Sequence, residues 1–510
     1  MRRRGVFALA AAMLLLTACG GPPAAESPSP EPSPTATAAP APEAADFALG
    51  YAGGGSLHPL KAADQSSLDV DSLVYEGLYR LDERFEARPV LAQSASVSGD
   101  GLAWTVTLRT DAAFSDGTAL MAEHVAASLR AAMGSALYAA RMAGITSIRA
   151  GEGAVTITLS APNGTLPVLL TAPVTLDAGG ELPLGTGPYV FDGEGESLKL
   201  AANPNWWQGR RPPFDTIPLR AYETLDDRIS AFDSGLVTAV TNDFTASGAL
   251  GYSGTYETHD YLSPIMLFVG FNTMKGPCAD PNVRAALSRA FDRMSIVSVL
   301  LSGHGEAVAL PVPPVSGQYS ETAAALLDYD LTAAEELLAA AGYSRNEEGQ
   351  LIRRRSALSL TLAVNRDSVV KCSVARYIAR NLTELGMAVT VSELDWNDYT
   401  AALTAGNFDL YLGEVKLTAD FDFTALVSGG LNYGGYENAE VSALLAAWRA
   451  ASGDSRTAAA ETLFTAMAAD LPFAPLCFKN RSLLVRWGMV ESLAPVWGAP
   501  FAGVESWQTN

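Results

Sequence analysis

One stretch near the middle of the chain constrains the fold most: a short apolar run that leads into a sharply marked helix start. The run Ile265–Phe271 is too short for a helix of its own, so it predicts a buried strand. Asp280 is suited to cap the next helix, and Pro281 fits its first position. By pattern alone, the pair fits either a crossing between two lobes or any α/β core element. Helical spacing places apolar side chains on one face of this helix, at Val283, Ala286, Leu287, Ala290, Phe291 and Met294.

The segment Val283–Arg293 resembles the central signature of a known family. It reads Val-Arg-Ala-Ala-Leu-Ser-Arg-Ala-Phe-Asp-Arg and follows Phe271-Asn-Thr. Extracytoplasmic solute-binding proteins of the peptide and nickel family, which serve ABC importers, carry a similar segment after a strand that crosses between lobes. Further blocks resemble the family in the same order, at Val74–Tyr79, Arg88–Ala92, Phe114–Thr118, Leu184–Val190, Asn203–Trp207 and Asn432–Tyr436.

The resemblance implies the fold class. We expect an α/β, two-lobed periplasmic-binding-protein-like fold with an extra α+β subdomain. Two crossing strands, predicted at Ile265–Phe271 and Pro472–Phe478, would join the lobes. The predicted boundaries are 46–60, 185–262 and 482–510 for lobe I, 61–184 for the extra subdomain on it, and 263–481 for lobe II.

The second half of the chain alternates strand and helix patterns. This alternation predicts a βαβ lobe, with ligand groups beyond the strand ends. The predicted elements are an amphipathic helix at Asp330–Tyr343, strands at Leu358–Asn365, Val389–Leu394 and Phe408–Leu412, and a helix at Val369–Leu385.

The amino-terminal segment predicts export and lipid anchoring. Residues 1–18 combine a charged start with an apolar run too short to span a membrane, which is typical of a signal peptide. Leu16-Thr17-Ala18-Cys19 resembles a bacterial lipobox, whose lipidated Cys19 would become the first residue. The alternative is an ordinary secretory leader that contains a cysteine. Residues 19–45 are rich in Pro, Ala and Ser and predict a disordered tether. We therefore expect an extracytoplasmic protein that is lipid-anchored to the bacterial cell membrane.

The composition argues against one class of partner and limits the number of disulfides. A formal net charge of −21 leaves no electrostatic footprint for a phosphate backbone, so no nucleic-acid partner is expected. Beyond Cys19, three cysteines remain, which allows at most one disulfide, and three buried thiols are the favoured interpretation. These are Cys278, Cys372 and Cys477.

No catalytic or metal motif is recognisable. None of the four histidines sits in HExxH, no cysteines have zinc spacing, and no GxSxG elbow occurs. We therefore expect a binding protein and not an enzyme, with no cofactor and no metal. The alternative of another class is an extracytoplasmic hydrolase on the same fold.

The resemblance also implies the partners. We expect a small solute, with a short peptide as the leading candidate, delivered by a monomeric protein to an ABC permease and its ATPase complex. Nickel chelates and oligosaccharides are alternatives, because the matching motifs belong to the scaffold. Trp206 and Trp207 could stack on a sugar or base, although core packing is the favoured interpretation.

A bound peptide is a zwitterion, so a closed cleft must supply a partner for each of its charges. Asp420, in Ala419-Asp420-Phe421, resembles the family residue that takes the peptide amino group. Arg366, at a strand end, resembles the residue that takes the carboxylate, and Trp396 resembles a cleft tryptophan. The structural alternatives are a helix cap for Asp420, a surface charge for Arg366 and a core position for Trp396.

The remaining ligand-binding candidates lie in three segments. The chain has Glu414-Val415-Lys416 where many relatives have an aromatic and small residues, so Lys416 could suit an extra acidic group on the ligand. Asn432 and Tyr433 belong to one of the family landmarks. A turn that resembles a cleft turn of the family supplies four further candidates, Gly54, Gly55, Ser56 and Leu57.

Overall fold

The computed structural model describes residues 47–246 and 251–508. These residues belong to one compact unit, residues 45–510. The predicted signal peptide, Cys19 and the tether lie outside the described residues. No helix in the described ranges combines the length and apolarity needed to cross a membrane.

Strands provide the framework of the described chain. They are β1 (Leu49–Ala52), β2 (Tyr79–Leu81), β3 (Ala87–Pro89), β4 (Ala92–Val97), β5 (Ala103–Leu108), β6 (Ile145–Gly151), β7 (Ala154–Leu159), β8 (Tyr189–Asp192), β9 (Lys199–Ala202), β10 (Thr216–Tyr222), β11 (Ala239–Asn242), β12 (Tyr256–Phe271), β13 (Gly305–Ala307), β14 (Ser344–Arg345), β15 (Leu351–Arg353), β16 (Ser356–Ala357), β17 (Ser359–Asn365), β18 (Ala388–Leu394), β19 (Leu410–Lys416) and β20 (Phe473–Arg486). Among the described residues, an eleven-stranded sheet has the order β18–β17–β19–β12–β20–β11–β1–β10–β9–β8, with β13 paired to β20. Smaller sheets are β4–β5–β7–β6, β14–β15–β16 and β2–β3.

Helices cover these sheets. They are α1 (Gln65–Asp71), α2 (Ala122–Met133), α3 (Ala139–Met142), α4 (Leu225–Asp233), α5 (Pro281–Arg289), α6 (Arg293–Ser295), α7 (Glu321–Ala325), α8 (Leu331–Ala340), α9 (Val369–Glu384), α10 (Trp396–Thr404), α11 (Thr424–Val427), α12 (Ala439–Ala450) and α13 (Gly453–Ala469). Helix α2 packs on the four-stranded sheet, which gives the extra subdomain its α+β character.

Both predicted crossing strands are present, and both are longer than predicted. β12 and β20 pair antiparallel from Tyr256 opposite Arg486 to Gly270 opposite Phe473. β19 flanks the outer side of β12, and β11 flanks the outer side of β20. This two-stranded ribbon joins the two halves of the large sheet, as a two-lobed fold requires. The residue boundaries of the lobes stay a prediction.

A buried lysine ties the ribbon to both of its neighbours. Lys479 on β20 is 5% exposed, and its Nζ lies 3.2 Å from Asp243 Oδ2 and 3.2 Å from Glu414 Oε2. Asp243 follows β11 and Glu414 lies on β19, so the ion pairs reach across the ribbon in both directions. The register of the ribbon shifts beside this lysine, where Ser263 Oγ donates to the Lys479 carbonyl at 2.7 Å. A buried cation needs such partners, because an unpaired one costs several kcal/mol.

The start of the signature helix is confirmed. The Asp280 side chain accepts from the Asn282 amide at 3.0 Å, and Pro281 occupies the first position of α5. The predicted apolar face is buried except at Met294, which is 69% exposed. The prediction for Met294 was wrong because α5 ends at Arg289, after which Asp292 caps a new short helix.

Two arginines of the signature segment, Arg284 and Arg293, bind it to the returning strand. Both side chains are buried, and both donate to backbone carbonyls near β20. Arg284 Nε reaches the Leu471 carbonyl at 2.7 Å, and Arg293 Nε reaches the Pro475 carbonyl at 2.8 Å. They therefore fasten the segment after β12 to the returning strand.

The predicted βαβ arrangement is confirmed. β17 and β18 are parallel and joined by α9, and β19 runs parallel to β17 on its other side. The carboxyl ends of β17, β18 and β19 therefore lie at one edge of the sheet, with β19 next to the ribbon and β18 farthest from it.

The extra subdomain touches the segment that follows β19. Phe85 and Phe421 pack ring to ring at 5.0 Å, and both have a left-handed backbone, with φ of 61° and 58°. A bulky residue adopts this conformation only where surrounding packing enforces it. Gly164 lies so close to α12 that a Cβ there would sit 2.0 Å from the Ala451 carbonyl oxygen, which requires glycine.

The three cysteines of the described residues are buried free thiols. This agrees with the favoured interpretation of the sequence.

Candidate functional site

A cavity of about 800 Å³ lies beside the ribbon, within the size range of small-ligand pockets. Its wall combines residues from all three predicted regions. The predicted extra subdomain contributes α1, which packs on β1 and β11 of the large sheet, and the chain near residues 75–81, 136–141 and 168–173. The predicted lobe I contributes residues 206–210, Tyr261 and 497–505, and the predicted lobe II contributes residues 416–419.

One part of the wall is positively charged. Lys416, the last residue of β19, stands 5.0 Å from the ring centre of Trp497. Arg141, on the short helix α3, stacks over Tyr138 at 4.8 Å and donates from Nη1 to Thr171 Oγ1 at 2.8 Å. Desolvation by the surrounding wall lowers the pKa of both side chains, although Lys416 is exposed by surface area, and the neighbouring charges of Arg141 and Arg481 lower the pKa of Lys416 further.

Another part of the wall is acidic. Asp71, at the end of α1, is 4% exposed, and neither of its carboxyl oxygens has a hydrogen-bond partner among the described residues. Burial, with the like charges of Asp64 and Asp69, raises its pKa to about 9. Asp69 is better satisfied, since Gln65 Nε2 donates to it at 2.8 Å and the Thr241 hydroxyl also donates to it. Burial raises the pKa of Asp69 as well.

Glu76 completes the acidic part. Burial raises its pKa to about 7, although Trp207 Nε1 and the Thr186 hydroxyl donate to its carboxylate at 2.7 and 2.8 Å. Trp206 and Trp207 both border the cavity, so they are accessible to a ligand as well as packed. Trp206 is 5% exposed. The Arg109 guanidinium stacks over Trp207, with its carbon 4.5 Å from the ring centre.

Asp420 lies directly after the cavity-lining residues 416–419 and is 5% exposed. Its carboxylate accepts from the Thr418 hydroxyl at 2.5 Å and from Asn163 Nδ2 at 3.2 Å. Asn163 lies in the predicted extra subdomain, so this hydrogen bond connects that region to the segment after β19. The Arg456 guanidinium donates to the Asp420 carbonyl at 3.0 Å and holds the loop from behind.

Arg366 and Trp396 do not reach the cavity. The Arg366 side chain is 60% exposed and donates to Asp395 at 3.3 Å, and Trp396 is 57% exposed. Both follow the expected strand ends, but β17 and β18 are the second and third strands from the ribbon. Strands are spaced about 4.8 Å apart, so each step moves a side chain farther from the cavity. Their role in binding stays a prediction.

The other candidates shape turns. The Ser56 hydroxyl accepts from the His58 amide at 3.1 Å, Gly54 and Gly55 are exposed and Leu57 is buried. Asn432 exchanges hydrogen bonds with the Tyr436 backbone at both of its side-chain atoms, and Tyr433 packs on Tyr411 at 6.1 Å. None of these six residues lines the cavity, whereas Lys416 does.

Sequence reasoning missed Asp71, Glu76, Arg141 and Trp497 as cavity residues. Glu76 lies in the Val74–Tyr79 block, which resembles the family, so this block could have indicated that Glu76 lies near the site. Arg141 and Asp71 belong to no block, and only the three-dimensional packing brings them to the cavity.

The comparisons with known proteins fit this geometry. The family described as bacterial extracellular solute-binding proteins, family 5 Middle, matches residues 86–428, which is more than half of the chain. The oligopeptide-binding protein AppA of Bacillus subtilis (strain 168) is 24% identical over 519 residues, covering 94% of each chain. The glutathione-binding protein GsiB of Escherichia coli (strain K12) is 28% identical over 358 residues, covering 67% of each.

A solved structure shows the same fold. The periplasmic murein tripeptide binding protein MppA, in an unliganded open form, superposes with a TM-score of 0.75 at 20% identity. The match covers 92% of this chain and 98% of that one.

Proposed function

Because the chain belongs to the bacterial extracellular solute-binding proteins of family 5, which serve ABC importers, we propose that it captures a short peptide in the cavity and delivers it to an ABC permease. The cavity carries this proposal, since its wall offers both signs of charge. A peptide presents an ammonium and a carboxylate, and each must find a partner when water is excluded. Acidic side chains and the cations Arg141 and Lys416 line the same cavity.

Relatives support a peptide as the solute. AppA is an oligopeptide-binding protein, GsiB a glutathione-binding protein and MppA a murein tripeptide binding protein. A cavity of about 800 Å³ suits a ligand of small-molecule size.

Asp420 is the proposed partner of the peptide ammonium. Its position beside the cavity-lining residues 416–419 supports this role, and a peptide ammonium would join Thr418 and Asn163 as a donor to its carboxylate. Arg366 and Trp396 remain proposed contacts to the carboxylate end and to a side chain, and such contacts would require β17 and β18 to approach the ligand.

The test is to identify and then titrate the ligand. Mass spectrometry of small molecules released on denaturing gently purified protein should find short peptides, and a set of non-peptide solutes would contradict the proposal. Calorimetry with the identified peptide should show Asp420→Asn weakening binding by roughly 2–5 kcal/mol. Asp398→Asn, at an exposed position of α10, is the matched control and should bind as wild type. Equal affinity of Asp420→Asn and wild type, with melting unchanged, would remove Asp420 from the site.

The proposed attachment is a lipid on Cys19, followed by the tether of residues 19–45. More than one acyl chain is needed for stable anchoring, and an amino-terminal lipoprotein supplies it. Cys19→Ala should move the protein from the membrane fraction to the soluble fraction on cell fractionation. A Cys19→Ala protein that stays with the membranes would reject the anchor.

A further inference from the structure

We propose that Lys416 and Arg141 form an anion site in the cavity wall that takes the side-chain carboxylate of an acidic peptide. This inference rests on the proposed peptide binding, and it names a class of ligand within it. The two residues are far apart in sequence, Arg141 on α3 and Lys416 at the end of β19, so the site exists only in the folded protein.

The geometry presents both cations to the cavity. Each packs on an aromatic ring that also lines the cavity, Trp497 for Lys416 and Tyr138 for Arg141. These rings restrain the two side chains without neutralising them. One guanidinium nitrogen of Arg141 donates to the Thr171 hydroxyl, and its other N–H groups make no hydrogen bond to a described residue.

Neither cation has a carboxylate within ion-pair distance among residues 47–246 and 251–508. Another cation of the wall, Arg109, pairs with Asp111 at 2.7 Å. The chain as a whole is acidic, with a net charge of −21, yet the wall also leaves Arg80 and Arg210 without an ion pair to a described carboxylate. The neighbouring positive charges of Arg141 and Arg481 lower the pKa of Lys416.

A carboxylate suits the site. Arg141 can offer a planar pair of N–H donors, and Lys416 a point charge beside them. Lys416 also precedes Asp420 by four residues, so one segment would supply both the partner of the peptide ammonium and part of the anion site. A short acidic peptide satisfies both groups at once.

The experiment uses two tripeptides that differ by one negative charge, Ala-Glu-Ala and Ala-Gln-Ala, in calorimetry at neutral pH. We expect wild type to bind Ala-Glu-Ala about 10- to 100-fold more tightly, the worth of a charge-assisted contact. Lys416→Met and Arg141→Met should each reduce this ratio towards one. Lys416→Arg should retain the preference. Lys199→Met removes one positive charge outside the cavity and should leave the ratio unchanged, which controls for net charge.

Each outcome decides between the proposals. Equal binding of both peptides by wild type overturns the anion site and leaves peptide capture standing. If neither peptide binds but glutarate or inorganic phosphate does, and Lys416→Met abolishes that binding, the anion site is supported and peptide capture fails. If none of these probes binds, both proposals are overturned. Circular dichroism and melting of each variant establish that it is folded.

Discussion

Two lysines, one in the ribbon and one in the cavity wall, meet opposite surroundings. Lys479 is 5% exposed and contacts two carboxylates, Asp243 and Glu414. Lys416 ends the neighbouring strand β19 and has no carboxylate partner among the described residues. The acids show the same contrast, because Asp243 is paired whereas Asp71 is buried with both oxygens unpartnered.

The difference separates scaffold from site. In the ribbon, the buried charge of Lys479 is neutralised within the protein by Asp243 and Glu414, which makes the crossing specific and stable. In the cavity wall, Lys416 is exposed and unpaired among the described residues, so it is left for a ligand, and Asp71 holds a proton because no described partner stabilises its charge. Sites commonly show such incomplete satisfaction, because a group already paired has little to offer a ligand.

The strongest test of the contrast is Lys479→Met. It leaves two carboxylates near the ribbon without their cation, and breaking a buried ion pair costs about 3–5 kcal/mol. Chemical denaturation should show a loss of this size in the free energy of unfolding. Adding Asp243→Asn and Glu414→Gln should restore much of it, since the stranded charges are then removed. A loss below about 1 kcal/mol would mean that the ribbon does not depend on this lysine.

Asp71→Asn should raise the free energy of unfolding, whereas Lys479→Met should lower it. Its pKa of about 9 means that the folded protein keeps a proton which the unfolded chain releases near pH 4. The stability that this group contributes is full below about pH 4 and falls as pH rises towards about 9. We expect Asp71→Asn to be more stable than wild type by about 1–3 kcal/mol at pH 8.

The difference between the Asp71→Asn and wild-type curves reports on Asp71 together with its coupling to Asp69, because Asp69 and Glu76 titrate in both proteins. Thermal unfolding measured from pH 4 to pH 9 should show the gap widening with pH. A gap that is constant over this range would contradict the raised pKa of Asp71.

Lys416→Met should change stability least. Met keeps the apolar stem next to Trp497 and no ion pair is lost, so the expected change is within about 0.5 kcal/mol. The same denaturation assay applies, side by side with Lys479→Met. If the two variants lose similar stability, the distinction between the ribbon and the cavity wall fails.

Much of the fold was predictable because it depends on local patterns. Asp280 and Pro281 mark the start of α5, and the alternation of apolar runs marked β17, α9 and β18 within one or two residues. Met294 was misassigned because helical spacing continues past Arg289 although the helix does not. The full length of the ribbon was not predictable, since polar residues in the first half of β12 carry no apolar run.

The site was less predictable, for a physical reason. Motifs describe strand ends, but distance from the ribbon decides which strand end meets the cavity, and that depends on strand order. Lys416 follows the strand next to the ribbon and lines the cavity, whereas Arg366 and Trp396 follow strands farther away. Arg141 and Asp71 reach the wall through contacts between segments that no local pattern links.

The pairing of Gly270 with Phe473 has a consequence for how such chains diversify. The chain leaves the ribbon after β12 and returns to it at β20, so the roughly two hundred residues between are an insertion whose ends are neighbours. Segments with adjacent ends can be exchanged without redirecting the rest of the chain. Recombination between relatives at these two points would transplant Lys416 and Asp420 together while keeping Arg141 and Asp71 from the host. A chimera made this way would inherit half of its specificity from each parent.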